Sequence, residues 1–170
     1  ARLGDAFRTN VGIPQEPREV GWVSGAHMMI RRAVLDAVGL MDEGYFLYYE
    51  ETDFTLKARR RGWSCWHVPE SRIVHLVGQS SGVTVRDSAP RRIPAYWFES
   101  RRRYFVGNHG RPYAILTDLG VIAACGIARL RRFFQPAAPV TPPYFVADLI
   151  RYGALSGRQA DSSPRAIATS

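Results

Sequence analysis

Residues 50–62 impose the tightest constraint on this chain. Glu50, Glu51 and Asp53 crowd four positions, Arg59, Arg60 and Arg61 close the stretch, and Gly62 follows. Acids suit the positive N-terminal end of a helix and cations its negative end, while Gly accepts the left-handed conformation that ends one. The pattern predicts a helix that starts near Glu50 and stops at Gly62. Just ahead of it, Asp42, Glu43, Tyr45, Phe46, Tyr48 and Tyr49 alternate acids with aromatic rings. A fold that accommodates this segment has to present three carboxylates at one helix end, beside a run of rings.

With 170 residues, 46% hydrophobic and 22% charged, the chain is long and apolar enough for one domain with a core. Its 23 Lys+Arg against 15 Asp+Glu give +8, and Lys57 is the single lysine, so the excess is arginine. The planar guanidinium favours flat anionic partners: nucleic acid, sugar nucleotides, lipid pyrophosphates or an anionic membrane surface. Cys65 and Cys125 lie far apart without metal-ligand spacing and read as buried free thiols. The N-terminus lacks the apolar core of a signal peptide, and the start at Ala1 reads as that of a fragment.

The expected fold class is α/β. Residues 1–20 read as a loop. Residues 21–31 read as a strand, a turn at Gly25 and a second strand through Met28 to Ile30. Residues 32–38 read as a short amphipathic helix capped by Gly39. Short strands are expected at 63–68 and 73–76, a Gly/Ser/Arg-rich loop at 78–94, and a helix at 95–106 holding Arg101, Arg102 and Arg103 among aromatics. Within the most apolar stretch, 113–134, the apolar core from Ala114 to Ala128 is interrupted by Thr117 and Asp118, is shorter than the ~20 residues of a clean membrane span, and then meets Arg129, Arg131 and Arg132. A proline-rich linker at 135–143, an amphipathic helix at 144–155 and a disordered tail at 158–170 complete the chain. This divides it into residues 1–94, the C-terminal helices at 95–157 and the tail.

Three features can carry chemistry. A carboxylate of the Glu50, Glu51 and Asp53 cluster can take the proton of an attacking hydroxyl, and the neighbouring rings suit sugar faces; a solvated first helical turn explains the same acids equally well. Gly25 and Ala26 permit close ligand approach to the backbone, or simply a tight turn. The arginines at 101–103 beside an apolar, Arg-terminated helix suit a membrane surface, or a solvated helix face; the alternative to an enzyme that they offer is a non-catalytic interaction module associated with a membrane surface. No zinc pattern, nucleophile elbow, phosphate loop or nucleic-acid-binding signature is present, so nucleic acid is not expected as a partner. His75 stands at a strand end, where a structural role competes with a ligand role.

Taken together, these residues resemble family 2 glycosyltransferases, particularly bacterial rhamnosyl- and galactofuranosyl-type enzymes of the GT-A fold. The likeness covers residues 21–78. It rests on Trp22-Val23-Ser24-Gly25-Ala26, Ile30-Arg31-Arg32, Val38-Gly39, Asp42-Glu43, Tyr45-Phe46-Leu47-Tyr48, Glu50-Glu51-Thr52-Asp53-Phe54, Gly62-Trp63, Val68-Pro69 and Val74-His75. Residues 100–110 resemble the helix that follows the family's catalytic region. The resemblance implies the acceptor-side half of a GT-A-type domain, a short mixed sheet with helices, followed by C-terminal amphipathic helices. It implies inverting transfer from an NDP-sugar to a glycan or polyprenyl-linked acceptor. Glu51 is then the general base, Glu50 holds acceptor hydroxyls, and Asp53 supports them. Trp22, Gly25, Ala26, Tyr48 and Tyr49 line the substrate pocket, and His75 completes a metal site. The family commonly has Asp where Glu51 stands and Arg where Lys57 stands. Its Asp-x-Asp metal motif has no counterpart ahead of Trp22. The divalent metal, Mg or Mn, is therefore expected mainly on a part absent from this chain, which alone is expected to be inactive. A cytoplasmic location, with peripheral attachment to the inner membrane face as an option, follows from the same resemblance. Oligomeric state is not constrained.

Overall fold

The computed structural model describes residues 14–74, 92–134 and 141–157, and among these described residues two strands and five helices order the chain. Strand β1 (Arg18–Val20) pairs antiparallel with β2 (Cys65–His67), Arg18 opposite His67 and Val20 opposite Cys65. Between them lie α1 (Arg32–Val38) and α2 (Glu50–Arg60). Helices α3 (Ala95–His109), α4 (Arg111–Phe134) and α5 (Phe145–Tyr152) follow, with a 3-10 turn at Ala154–Ser156.

Local sequence explains the helix ends. Gly39 (φ 91°) returns its N–H to Leu35 O at 2.8 Å, closing α1. At the end of α2, Gly62 (φ 85°) donates to Arg59 O and Trp63 donates to Ala58 O, the paired bonds of a Schellman cap. Trp63 then packs on the core that α1 and α2 share: Val34, Phe54 and Ala58, edged by Met28, Ile30, Leu35, Val38 and Met41. The apolar i, i+4 pair Phe54 and Ala58 is what sets this face of α2 inward.

A second core lies under α3, α4 and α5, where Phe98, Ala114, Leu149 and Ala154 are buried. Gly110 (φ 84°) separates α3 from α4, and the chain folds back there. Phe105 stacks on Tyr113 and His109 on Tyr113 across the turn. Deeper in, the buried Arg101 guanidinium donates to the fully buried Asp118 carboxylate, whose other oxygen accepts the Ala154 N–H at 2.7 Å. Gly153 is required beside it: a Cβ there would lie 2.3 Å from Leu149 O and 2.6 Å from Asp118 Oδ2.

The structure corrects several expectations. The first strand lies at Arg18–Val20, inside the expected loop, and Gly25–His27 is a 3-10 turn, while Met28 to Ile30 form no strand. The expected mixed sheet is, among the described residues, one antiparallel pair. Ile73 and Val74 form no strand, and the rest of that expected element lies outside the described residues. Helix α3 runs three residues further than expected, to His109. Arg101 and Arg102 are buried rather than turned to solvent or a membrane. Over Arg111–Arg132 α4 is long and apolar enough to cross a membrane, longer than the interrupted sequence implied, because the buried ion pair accommodates Asp118. Cys65 and Cys125 are free and half-buried. The loop expected at 78–94, apart from its last three residues, most of the proline-rich linker, and the tail at 158–170 lie outside the described residues.

Candidate active site

The loop at 42–49 is built onto α3. The Asp42 carboxylate accepts the Gly44 N–H at 2.8 Å and both Nε and Nη2 of Arg103, at 2.9 and 2.8 Å. This fork holds the Asp42 carboxyl below its ordinary range, and the same hydrogen bonds, with the Asp42 charge, raise Arg103. Gly44 has to lack a side chain, since a Cβ would fall 2.1 Å from the Arg103 guanidinium carbon. One turn earlier on α3, the Ser100 hydroxyl donates to Leu47 O at 2.9 Å. Rings complete the contact. Tyr48 stacks on Tyr96, and Tyr49 inserts among Trp97, Tyr104 and Phe105 with centroids 5.5 to 6.5 Å away.

That anchoring permits an unusual backbone. Tyr48 (φ 69°) and Tyr49 (φ 72°) are both left-handed, a conformation that costs a bulky L-residue on the order of 1–2 kcal/mol each. Tyr49 is also the N-terminal flanking residue of α2. The strained pair aims the chain so that α2 begins with Glu50 and Glu51 directly behind the ring cluster.

The three acids then part company. Asp53 is buried; Lys57 Nζ lies 2.6 Å from one carboxylate oxygen and Asn108 Nδ2 donates to the other at 2.6 Å. Arg60 adds two bonds from α2 to Asn108, at 3.0 and 2.9 Å. Asp53 therefore ties α2 to α3. Glu50 and Glu51 are only half-buried, yet each keeps one carboxylate oxygen out of solvent with no hydrogen-bond partner in the protein. Unsatisfied buried oxygens cost about 1–3 kcal/mol apiece, more when charged. Burial, with the Glu51 charge adding to it, pushes the Glu50 carboxyl above its usual range. Gly25 faces the same place: a Cβ on it would meet Glu51 Cβ at 3.8 Å. Ser24 fixes that turn by accepting the Ala26 N–H at 3.3 Å. Trp22, Gly25 and Ala26 are exposed, Trp22 by 53%.

The structure thus brings Gly25 to Glu51, and Tyr48, Tyr49 and the acids to one loop-helix junction. His75 lies outside the described residues. Among the described residues no three His, Cys, Asp or Glu side chains converge in a way that could hold a metal ion. A recess of 260 Å³ opens beside Asp42, Asp53, Lys57 and Arg103, but its acids and bases pair with one another, and neither Glu50 nor Glu51 lines it. Asp42, Gly44, Ser100, Arg103 and Asn108 were not singled out by site chemistry. Their sequence signal was the Asp-x-Gly turn at 42–44 and the arginine stack of α3, whose partners only the fold reveals.

No protein-family model matches the chain, and no solved structure matches it. Curated proteins do. Over 113 residues, 66% of this chain, it is 36% identical to N-acetylglucosaminyl-diphospho-decaprenol L-rhamnosyltransferase of Mycobacterium tuberculosis, in two strains. The similarity is to glycosyltransferases. A second relative, the low-salt glycan biosynthesis hexosyltransferase of Haloferax volcanii, is 35% identical over 63 residues, 34% of this chain and 20% of its own length. The chain spans 31% of the length of the mycobacterial relatives. Both names support a glycosyltransferase family for the matched segment.

Proposed function

We propose that this chain carries the acceptor-side part of an inverting glycosyltransferase of the GT-A type, which moves a sugar from an NDP-sugar to a glycan or polyprenyl-linked acceptor. One observation carries the reading: Glu50 and Glu51 stand side by side at the start of a tightly braced helix, each with a buried oxygen that no protein donor satisfies. An acceptor sugar supplies hydroxyl donors of the right kind. Glu51, against the bare backbone of Gly25, accepts the proton of the attacking hydroxyl while that oxygen bonds to the anomeric carbon and the nucleoside diphosphate departs. Glu50 holds a neighbouring hydroxyl. The exposed Trp22 and the Tyr48 ring supply apolar surface for a sugar face. Asp53 positions the helix and stays out of the reaction, because its oxygens are engaged by Lys57 and Asn108.

The described residues lack a converging metal-ligand set, so a Mg or Mn ion that neutralises the departing diphosphate belongs, in this proposal, to a part of the protein outside them. The test is Glu51→Gln with the donor-binding part present. We expect kcat to fall about a hundredfold or more, the usual worth of a positioned general base. A near-wild-type rate contradicts the assignment.

A further inference from the structure

The two strained tyrosines differ in what holds them. Tyr49 inserts among Trp97, Tyr104 and Phe105, and those contacts offset its left-handed backbone. Tyr48 (φ 69°) meets Tyr96 alone among the described rings, with centroids 6.3 Å apart and planes 12° from parallel, and it is only half-buried. Phe46, two residues earlier, meets the same Tyr96 edge-on at 5.2 Å and keeps 59% of its surface in solvent. Strain that burial does not offset collects where a ligand uses the geometry.

The three rings make one surface. Planes so nearly parallel at that centroid separation are offset sideways, so Tyr48 and Tyr96 together present a stepped face wider than one ring, with Phe46 standing at 63° against Tyr96. Burial first, and the neighbouring Tyr48 second, raise the Tyr96 hydroxyl above its ordinary range, so the two phenol groups lie near each other. A sugar ring matches both parts of this surface, with C–H groups for the ring faces and hydroxyls for the phenols. An isoprenoid chain would set hydrocarbon against the phenols and leave them without partners. The surface begins two residues ahead of Glu50, whose buried oxygen already lacks a donor in the protein.

We infer that Phe46, Tyr48 and Tyr96 bind a second sugar ring of the acceptor, beside the ring that Glu50 and Glu51 engage, so that the preferred acceptor carries a glycan of at least two rings. The inference rests on the sugar-transfer reading for its first ring and deepens it by setting a minimum length for the acceptor glycan. Phe46 and Tyr96 then determine specificity without touching the reacting atoms.

Retention on immobilised glycans, with the donor-binding part present, tests it. The probes are sugars of a single ring, the same sugars extended by a second ring, and farnesyl diphosphate. The second ring should raise retention of the wild type about tenfold, the worth of a stacking contact or two. Tyr96→Leu and Phe46→Ala should each remove most of that gain while retention of single-ring sugars changes less than about twofold. Tyr96→Phe keeps the ring and should restore the greater part of the gain. Phe46 is exposed, so Phe46→Ala should leave the melting curve in place and carries the test if Tyr96→Leu fails to fold. Glu51→Gln separates the two readings, because it should slow turnover about a hundredfold and keep the second-ring gain. Turnover by Glu51→Gln near the wild-type rate, with the gain intact, sinks the sugar-transfer reading and leaves a sugar-binding surface. No gain from the second ring, no retention of any glycan, or a gain that survives both Tyr96→Leu and Phe46→Ala overturns the inference. Farnesyl diphosphate binding that those substitutions abolish, with glycan retention unaffected, overturns it in favour of a lipid.

Discussion

Asp42 shows how a single carboxylate shapes the site from a distance. It caps its own turn at Gly44 and grips Arg103 with both oxygens, so that loop and α3 share one fastening. Gly44→Ala should break it, because the new methyl occupies the guanidinium's place and the guanidinium cannot move without releasing Asp42. We expect a loss of about 1–2 kcal/mol in urea unfolding, close to that of Arg103→Gln, and no further loss in the double variant. The acids illustrate what sequence could and could not convey at this scale. Their crowding at 50–53 announced a helix start, and that was legible. Which acid is engaged and which is left open was not, because Lys57 sits four residues on but Asn108 comes from another helix.

Among the elements, α1 was legible to the residue and α2 nearly so, since their ends are set by Gly39, Gly62 and the charge order along the chain. The sheet was not. Its strands are three residues each and pair across more than forty positions, and pairing of that range leaves no periodic trace. The arginine stack of α3 misled for a related reason. Arg101 is drawn inward by Asp118, 17 residues away in sequence and opposite it once the chain folds back at Gly110. Asp118→Ala should therefore cost about 3–5 kcal/mol in chemical denaturation. It strands a buried guanidinium and removes the acceptor of the Ala154 N–H. An unchanged midpoint would show that the pair is replaceable by water.

For the molecule as a whole, the ionisable groups pull stability in two directions. Arg103 holds the Asp42 carboxyl below its ordinary 3.8, and Arg92 does the same for Asp148 through bonds of 2.8 and 2.6 Å. The folded state therefore binds these protons less readily than the unfolded chain. Their stabilisation is whole above 3.8 and is lost as pH falls below it. Glu50 has the opposite sign. Burial raises its carboxyl above 4.5, so its ionised form costs the fold at neutral pH, and that cost fades as pH falls toward 4.5. Glu50→Gln should then melt higher than wild type at neutral pH, with the gap closing on acidification. A carboxylate retained at the expense of stability is expected where function demands it.

The central claim is a division of labour between two adjacent glutamates, and steady-state kinetics with a varied acceptor, the donor-binding part present, tests it most directly. Glu51→Gln should lower kcat about a hundredfold with acceptor KM little changed, while Glu50→Gln should mainly raise acceptor KM. Equal effects of the two substitutions on both constants, or turnover by Glu51→Gln near the wild-type rate, would contradict the account.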